Sequence, residues 1–138
     1  MLNDEGFIGF ENDQFVNSGQ AMAAVPHQPV VQAMIEEYKK LHFANADGTV
    51  NAVGCPHLNS DVLERFGLVR NGQEQVVAGI HVYPADWFNP LDSVTGKLKK
   101  TENTYSVHWY SMSWLPKSTQ IKARLGRVVR RILRKGKS

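Results

Sequence analysis

Short apolar runs with strand character alternate along this chain with a proline-opened helical pattern, and that alternation restricts the fold more than any other feature. Phe7-Ile8-Gly9-Phe10 reads as a short buried strand, followed by a polar loop at Glu11-Asn12-Asp13-Gln14. Asn17-Ser18-Gly19 reads as a turn, and AMAAV at 21–25 as a second strand or the edge of one. Pro26 and Pro29 then open a helix, because proline's fixed φ suits the first turn and its missing N–H is no loss there. Val31, Met34, Ile35 and Tyr38 recur at i, i+3, i+4 and i+7, with Glu36, Glu37, Lys39 and Lys40 on the other side. Asp47-Gly48 marks a turn, and a second short helix is expected from Ser60 or Asp61 as N-cap. Val62, Leu63 and Phe66 would face inward and Gly67 would stop it. After an Asn71-Gly72 turn, VVAGIHVY at 76–83 is the best strand, residues 84–104 are loop-like, and TYSVHWY at 104–110 reads as a second strong strand. Strands interleaved with helices predict an α/β or α+β domain.

A length of 138 residues suits one domain with a buried core. Apolar residues at 42% and charged residues at 21% exclude a disordered chain, a collagen-like repeat and a disulfide scaffold. No apolar run approaches the length of a spanning helix, and MLNDEGF has no signal-peptide core. The single cysteine, Cys55, cannot form an internal disulfide, which fits a reducing compartment. It reads most simply as a buried structural thiol.

The net charge of +3 conceals a division. Residues 115–138 hold nine of the sixteen Lys and Arg and no acid, so residues 1–114 carry a net charge of −6. The two parts need separate explanations. We therefore divide the chain into a body, 1–117, and a basic helix and tail, 118–138. In the tail, Ile121, Leu125, Val128, Val129, Ile132 and Leu133 form one apolar stripe. Lys122 with Arg124, Arg127, Arg130, Arg131 and Arg134 fills the remaining surface, as in a helix lying on an anionic membrane. A helix docked on the acidic body and non-specific phosphate adhesion are the other readings; no specific nucleic-acid partner is expected.

Self-contained catalytic signatures are missing from the sequence: it has no GxSxG, P-loop, HExxH, CxxC or GxGxxG. His27, His42, His57, His81 and His108 show no ligand spacing. His108, set among aromatics and close to Ser113 and Trp114, could meet a metal or a phosphate while the indole stacks on a base or sugar. A core histidine among packing aromatics explains the same residues, and on composition is the commoner case. Glu11 and Asn12 fall where a strand ends, a frequent place for ligand-facing groups in α/β sheets, although an ordinary turn also accounts for them.

Taken in order, these segments resemble the C-terminal portion of the DXD-containing sugar transferases of glycosyltransferase family 32, a group that includes bacterial capsular polysaccharide synthesis proteins and initiating mannosyltransferases. The carrying segments begin with Gly9-Phe10-Glu11-Asn12, Asn17-Ser18-Gly19 and the helix from Pro29. Pro56 with Ser60 comes next, then Ile80-His81-Val82-Tyr83-Pro84 with Phe88 and Pro90, and finally TENTYSVHWYSMSW at 101–114. The last resembles the family's closing T-Y-x-I-H-H-x-x-x-S-W. The similarity spans residues 7 to 114.

The resemblance implies a partial GT-A, Rossmann-like fold that binds a nucleotide sugar. It implies a divalent cation, Mn²⁺ or Mg²⁺, on the diphosphate, and transfer to a glycan or lipid-linked acceptor in cell-surface polysaccharide synthesis. The metal would neutralise charge on the leaving nucleoside diphosphate. Carried over by position, Glu11 and Asn17 fall in catalytic roles, Asn12, Ser113 and Trp114 beside the donor diphosphate, and His108 at the metal. Two positions depart from the pattern. Trp109 replaces the family's second histidine, and the chain contains no D-x-D. The expectation is therefore a C-terminal half, inactive alone, located in the cytoplasm and peripherally on the inner face of the plasma membrane. A non-catalytic remnant or membrane-surface accessory module is the alternative.

Overall fold

The computed structural model describes residues 4–111 except 43, 50 and 52, together with 117–122, 125, 126 and 129. A mixed sheet of five strands organises it. The central strand β1, Gly6–Asn12, runs parallel to β5, Ile80–Tyr83, on one side. On its other side it pairs antiparallel with β3, Met22–Ala24, and with β2, Phe15–Val16. Strand β4, Gln75–Val77, pairs antiparallel with β5 and forms the far edge. Helices α1, Pro29–Lys39, and α2, Cys55–Arg65, and a single turn α3, Ala85–Phe88, complete the body. The chain is thus α/β in content.

Alternation along the strands separates two packed faces. Ile8, Phe10, Ile80 and Val82 join Val30 and Met34 of α1 and Leu58, Val62 and Leu63 of α2 in one apolar core. The opposite face is aromatic: Phe7 stacks on Phe88 at 5.4 Å, and Tyr83 on Trp87 at 4.2 Å. Because both faces are covered, β1 is buried almost throughout its apolar run, as a parallel-sheet strand should be. Gly9 belongs to this packing, since a Cβ there would lie 2.8 Å from Phe88 Cδ2.

Polar side chains lock the layers together. Gln28 caps α1, its Oε1 accepting from Val30 N and Val31 N while its Nε2 donates to Ala78 O. Ser60 Oγ accepts from Val16 N and donates to Pro56 O, tying α2 to β2.

Several expectations need correction. The apolar run 76–83 is two strands, because Ala78 and Gly79 both take positive φ and close a two-residue hairpin. Helix α2 starts at Cys55, with Gly54 as N-cap and Pro56 in its first turn, so Ser60 lies mid-helix. The buried face of α1 is Val30 and Met34, whereas Ile35 and Tyr38 are exposed, as is Phe66 after α2. The chain continues as strand through Glu11 and Asn12, where a loop was expected. Residues 104–110 form no strand. Their backbone hangs on α3 instead, Tyr105 N and Ser106 N both donating to Trp87 O, and Tyr105 and Trp109 stay largely exposed.

Candidate functional site

Strand β1 ends in a register irregularity between Phe10 and Asn12 as it turns into β2, leaving Glu11 at its carboxyl end. Asn12 Oδ1 accepts from Gln14 N and Phe15 N and so closes that turn. Strand β5 ends in the same direction, and Pro84 directs the chain into α3. An open cavity of about 430 Å³ lies at these two ends, lined by Glu11, Asn12, Asp13, Asp86, Asn89 and the 90–94 segment. The carboxyl ends of parallel strands are where α/β sheets bind ligands.

Glu11 is held by neutral donors from distant parts of the chain. Asn17 Nδ2 donates to its Oε2 at 2.9 Å, and the Tyr110 hydroxyl donates to its Oε1 at 3.1 Å. Asn17 is itself anchored: its N–H donates to Gly9 O, and its Oδ1 accepts from Gly19 N and from Cys55 Sγ at 3.3 Å. Cys55 is therefore a second support for the Asn17 amide. Asn89 Nδ2 donates to the Tyr110 hydroxyl at 2.5 Å and to Glu11 O at 3.2 Å. Burial, and secondly the neighbouring Glu11 carboxylate, push the Tyr110 phenol above its usual range, so it remains a proton donor at neutral pH.

Tyr110 adopts φ +48°, a left-handed conformation costly for a bulky residue. Its hydroxyl contacts and the His108 ring, 4.4 Å away, surround it. His108 Nδ1 is buried and has no hydrogen-bond partner among the described residues.

Glu11 and Asn17 are thus brought together, and Asn12 stands beside them in the turn. Ser113, Trp114, Arg124, Arg127, Arg130, Arg131 and Arg134 lie outside the described residues. Asn89, Tyr110 and Cys55 complete the cluster and were missed in the sequence. No local spacing could show them, since Tyr110 meets Glu11 across 99 positions.

Among the described residues the implied divalent cation finds no complete donor set. Among the described residues no three His, Cys, Asp or Glu side chains gather to hold a metal ion. No helix among them is long and apolar enough to cross a membrane. No protein-family model, curated protein or solved structure matches the chain.

Proposed function

We propose that this chain is the C-terminal, acceptor-side part of a GT-A-type glycosyltransferase acting on a nucleotide sugar. The observation that carries the reading is the Glu11 carboxylate, held by Asn17 and Tyr110 at the carboxyl ends of the parallel pair β1 and β5, beside an open polar cavity. The order of segments resembling family 32 supports it independently.

In this reading Glu11 is the catalytic residue. Each carboxylate oxygen can accept more than one hydrogen bond, so Asn17 and Tyr110 fix its orientation without exhausting its capacity. The remaining lone pairs accept from the acceptor hydroxyl and aim its oxygen at the anomeric carbon. Asn17 is a positioning residue that works through Glu11. Two neutral donors suit that task, since they orient the carboxylate without cancelling its charge.

A bound Mn²⁺ would supply charge neutralisation on the departing diphosphate. The described residues do not form its site, and His108 would contribute one nitrogen at most. By itself the chain should not turn over donor.

A specific observation favours a surface role for the tail. Ile121, Leu125 and Val129 recur at i, i+4 and i+8 and all remain more than half exposed. A helix docked on the body would cover that stripe. Attachment to an anionic membrane surface, near a lipid-linked acceptor, uses it instead.

The test is release of nucleoside diphosphate from UDP- and GDP-sugars with Mn²⁺, by this chain and by the longest reading frame containing it. Turnover by the longer frame alone is expected. Chelator-sensitive turnover by the 138 residues would contradict the assignment of this part, and inactivity of both with every donor would contradict the transferase reading.

A further inference from the structure

Strands β2, β3 and β4 each present an outer edge, and two of these edges are covered or guarded. On β2, Val16 N donates to Ser60 Oγ, so α2 covers that side. At the start of β4, Glu74 stands in an ion pair with His81, and charged side chains at an edge oppose pairing with another chain. Strand β3 has neither protection. Ala23 through His27 are all exposed, and none of them carries a formal charge.

The pairing with β1 fixes which backbone groups of β3 are free. Val25 N donates to the opposite Glu5 O, so Glu5–Val25 and Phe7–Ala23 are the hydrogen-bonded pairs of this ladder. The N–H and C=O of Met22 and Ala24 therefore point away from β1, and they bond to no other described residue. An open groove of about 460 Å³ runs between this edge and α1, lined by Met22, Ala24, Val25, Val31 and Ile35 among others. Val25 is 48% and Ile35 46% exposed. No Asp, Glu, Lys or Arg lines the groove, in a chain where 21% of residues are charged.

We infer that β3 pairs antiparallel with β3 of a second copy of this chain, joining the two sheets across a two-fold axis. A two-fold contact sets a surface against itself, so any charge near the axis would meet its own sign. The uncharged groove meets that condition. The outward backbone groups fit the same symmetry. With Ala23 on the axis, Met22 of each copy lies opposite Ala24 of the other, and each such pair exchanges both of its N–H···O bonds. All the outward groups of Met22 and Ala24 are then satisfied. The axial Ala23 pair is of the non-hydrogen-bonded kind, where side chains come closest, and alanine is small enough to sit there. Both α1 helices flank the axis on one face of the joined sheet, so Val31 and Ile35 cover apolar surface that a single copy leaves in water.

The experiment is sedimentation equilibrium of the full chain over concentrations from about 1 to 500 µM. The mass should rise from 15.5 kDa toward twice that value, with a dissociation constant on the order of tens of micromolar, as suits a small interface. Ala23→Lys sets two ammonium groups opposite each other on the axis and should weaken association at least about tenfold, with an unchanged circular dichroism spectrum. Ala23→Cys gives a reading that needs no loss of association, because the Cα atoms of such a pair lie about 4.5 Å apart, within disulfide reach. Under oxidising conditions this variant should form a covalent dimer through the introduced thiols, and the unaltered chain, with Cys55 alone, should not. A chain that stays at 15.5 kDa throughout overturns the inference and leaves this edge to a strand of a different protein. A dimer that Ala23→Lys leaves intact overturns it as well, as does a dimer in which Ala23→Cys forms no cross-link.

Discussion

The hydroxyl of Tyr110 donates to Glu11 Oε1 at 3.1 Å, joining the end of the first strand to a segment 99 positions later. This bond gives the irregular 104–110 segment its place over the sheet and gives the carboxylate one of its two fixed partners. Tyr110 has a raised phenol pKa because of burial first and Glu11 second. In the unfolded chain the phenol ionises near 10. Stability contributed by the retained proton is thus fully present below pH about 10 and is lost as pH rises beyond it. Tyrosinate absorbance should show one phenol ionising later than the rest, and Tyr110→Phe should remove that late phase.

Gly9 faces Phe88 with no room for a methyl group. Gly9→Ala should force the buried ring to move and destabilise the fold by about 1–3 kcal/mol. Denaturant unfolding of the two chains measures this directly, and an unchanged midpoint would show that Phe88 yields freely.

Ser60 offers a second check of the fold. Its hydroxyl accepts from Val16 N in the core, so Ser60→Ala leaves a buried N–H unsatisfied. A loss of about 1–3 kcal/mol is expected, again from denaturant unfolding.

Helices α1 and α2 are joined by Glu37, whose carboxylate meets Arg65 and Lys40 and is lowered to a pKa of about 2, chiefly by the Arg65 hydrogen bond. A lowered carboxylate contributes stability above its unfolded value, near 4.5, that is lost as pH falls toward 2. Glu37→Gln should flatten the acid limb of a stability–pH profile between these values by lowering the neutral plateau slightly, and leave stability below pH about 2 nearly unchanged.

The tail reading is tested with anionic vesicles. Ile121→Gln/Leu125→Gln in the full chain should reduce co-sedimentation by about tenfold while the net charge is unchanged. Equal sedimentation would mean that charge alone, or nothing, attracts the helix.

What the sequence revealed depended on how local the determinants are. The strand at Phe7–Phe10, the turns at Asn17–Gly19 and Asn71-Gly72, and the Pro29 helix all rest on neighbouring residues, and each is present. The hairpin at Ala78-Gly79 was hidden because alanine seldom takes a left-handed φ, so the run read as continuous strand. Gly54 and Pro56 carry the start of α2, five residues before the Ser60 or Asp61 cap that the sequence suggests. The β-type composition of 104–110 was misleading, since its backbone donates to Trp87 O in place of a neighbouring strand. Within the site, the family resemblance singled out Glu11 and Asn17, while the strand end and the turn by themselves read as ordinary turns. Asn89, Cys55 and Tyr110 join them through tertiary contacts that no periodicity encodes.

The central claim is that Glu11, positioned by Asn17 and Tyr110, orients the acceptor in sugar transfer. The most direct measurement is transferase turnover of Glu11→Gln in the longest reading frame containing this chain, with circular dichroism as the check of folding. Removing a group that acts in the transition state should lower kcat by at least about 100-fold with little change in donor KM. A folded Glu11→Gln protein that transfers sugar at the unaltered rate would contradict the account.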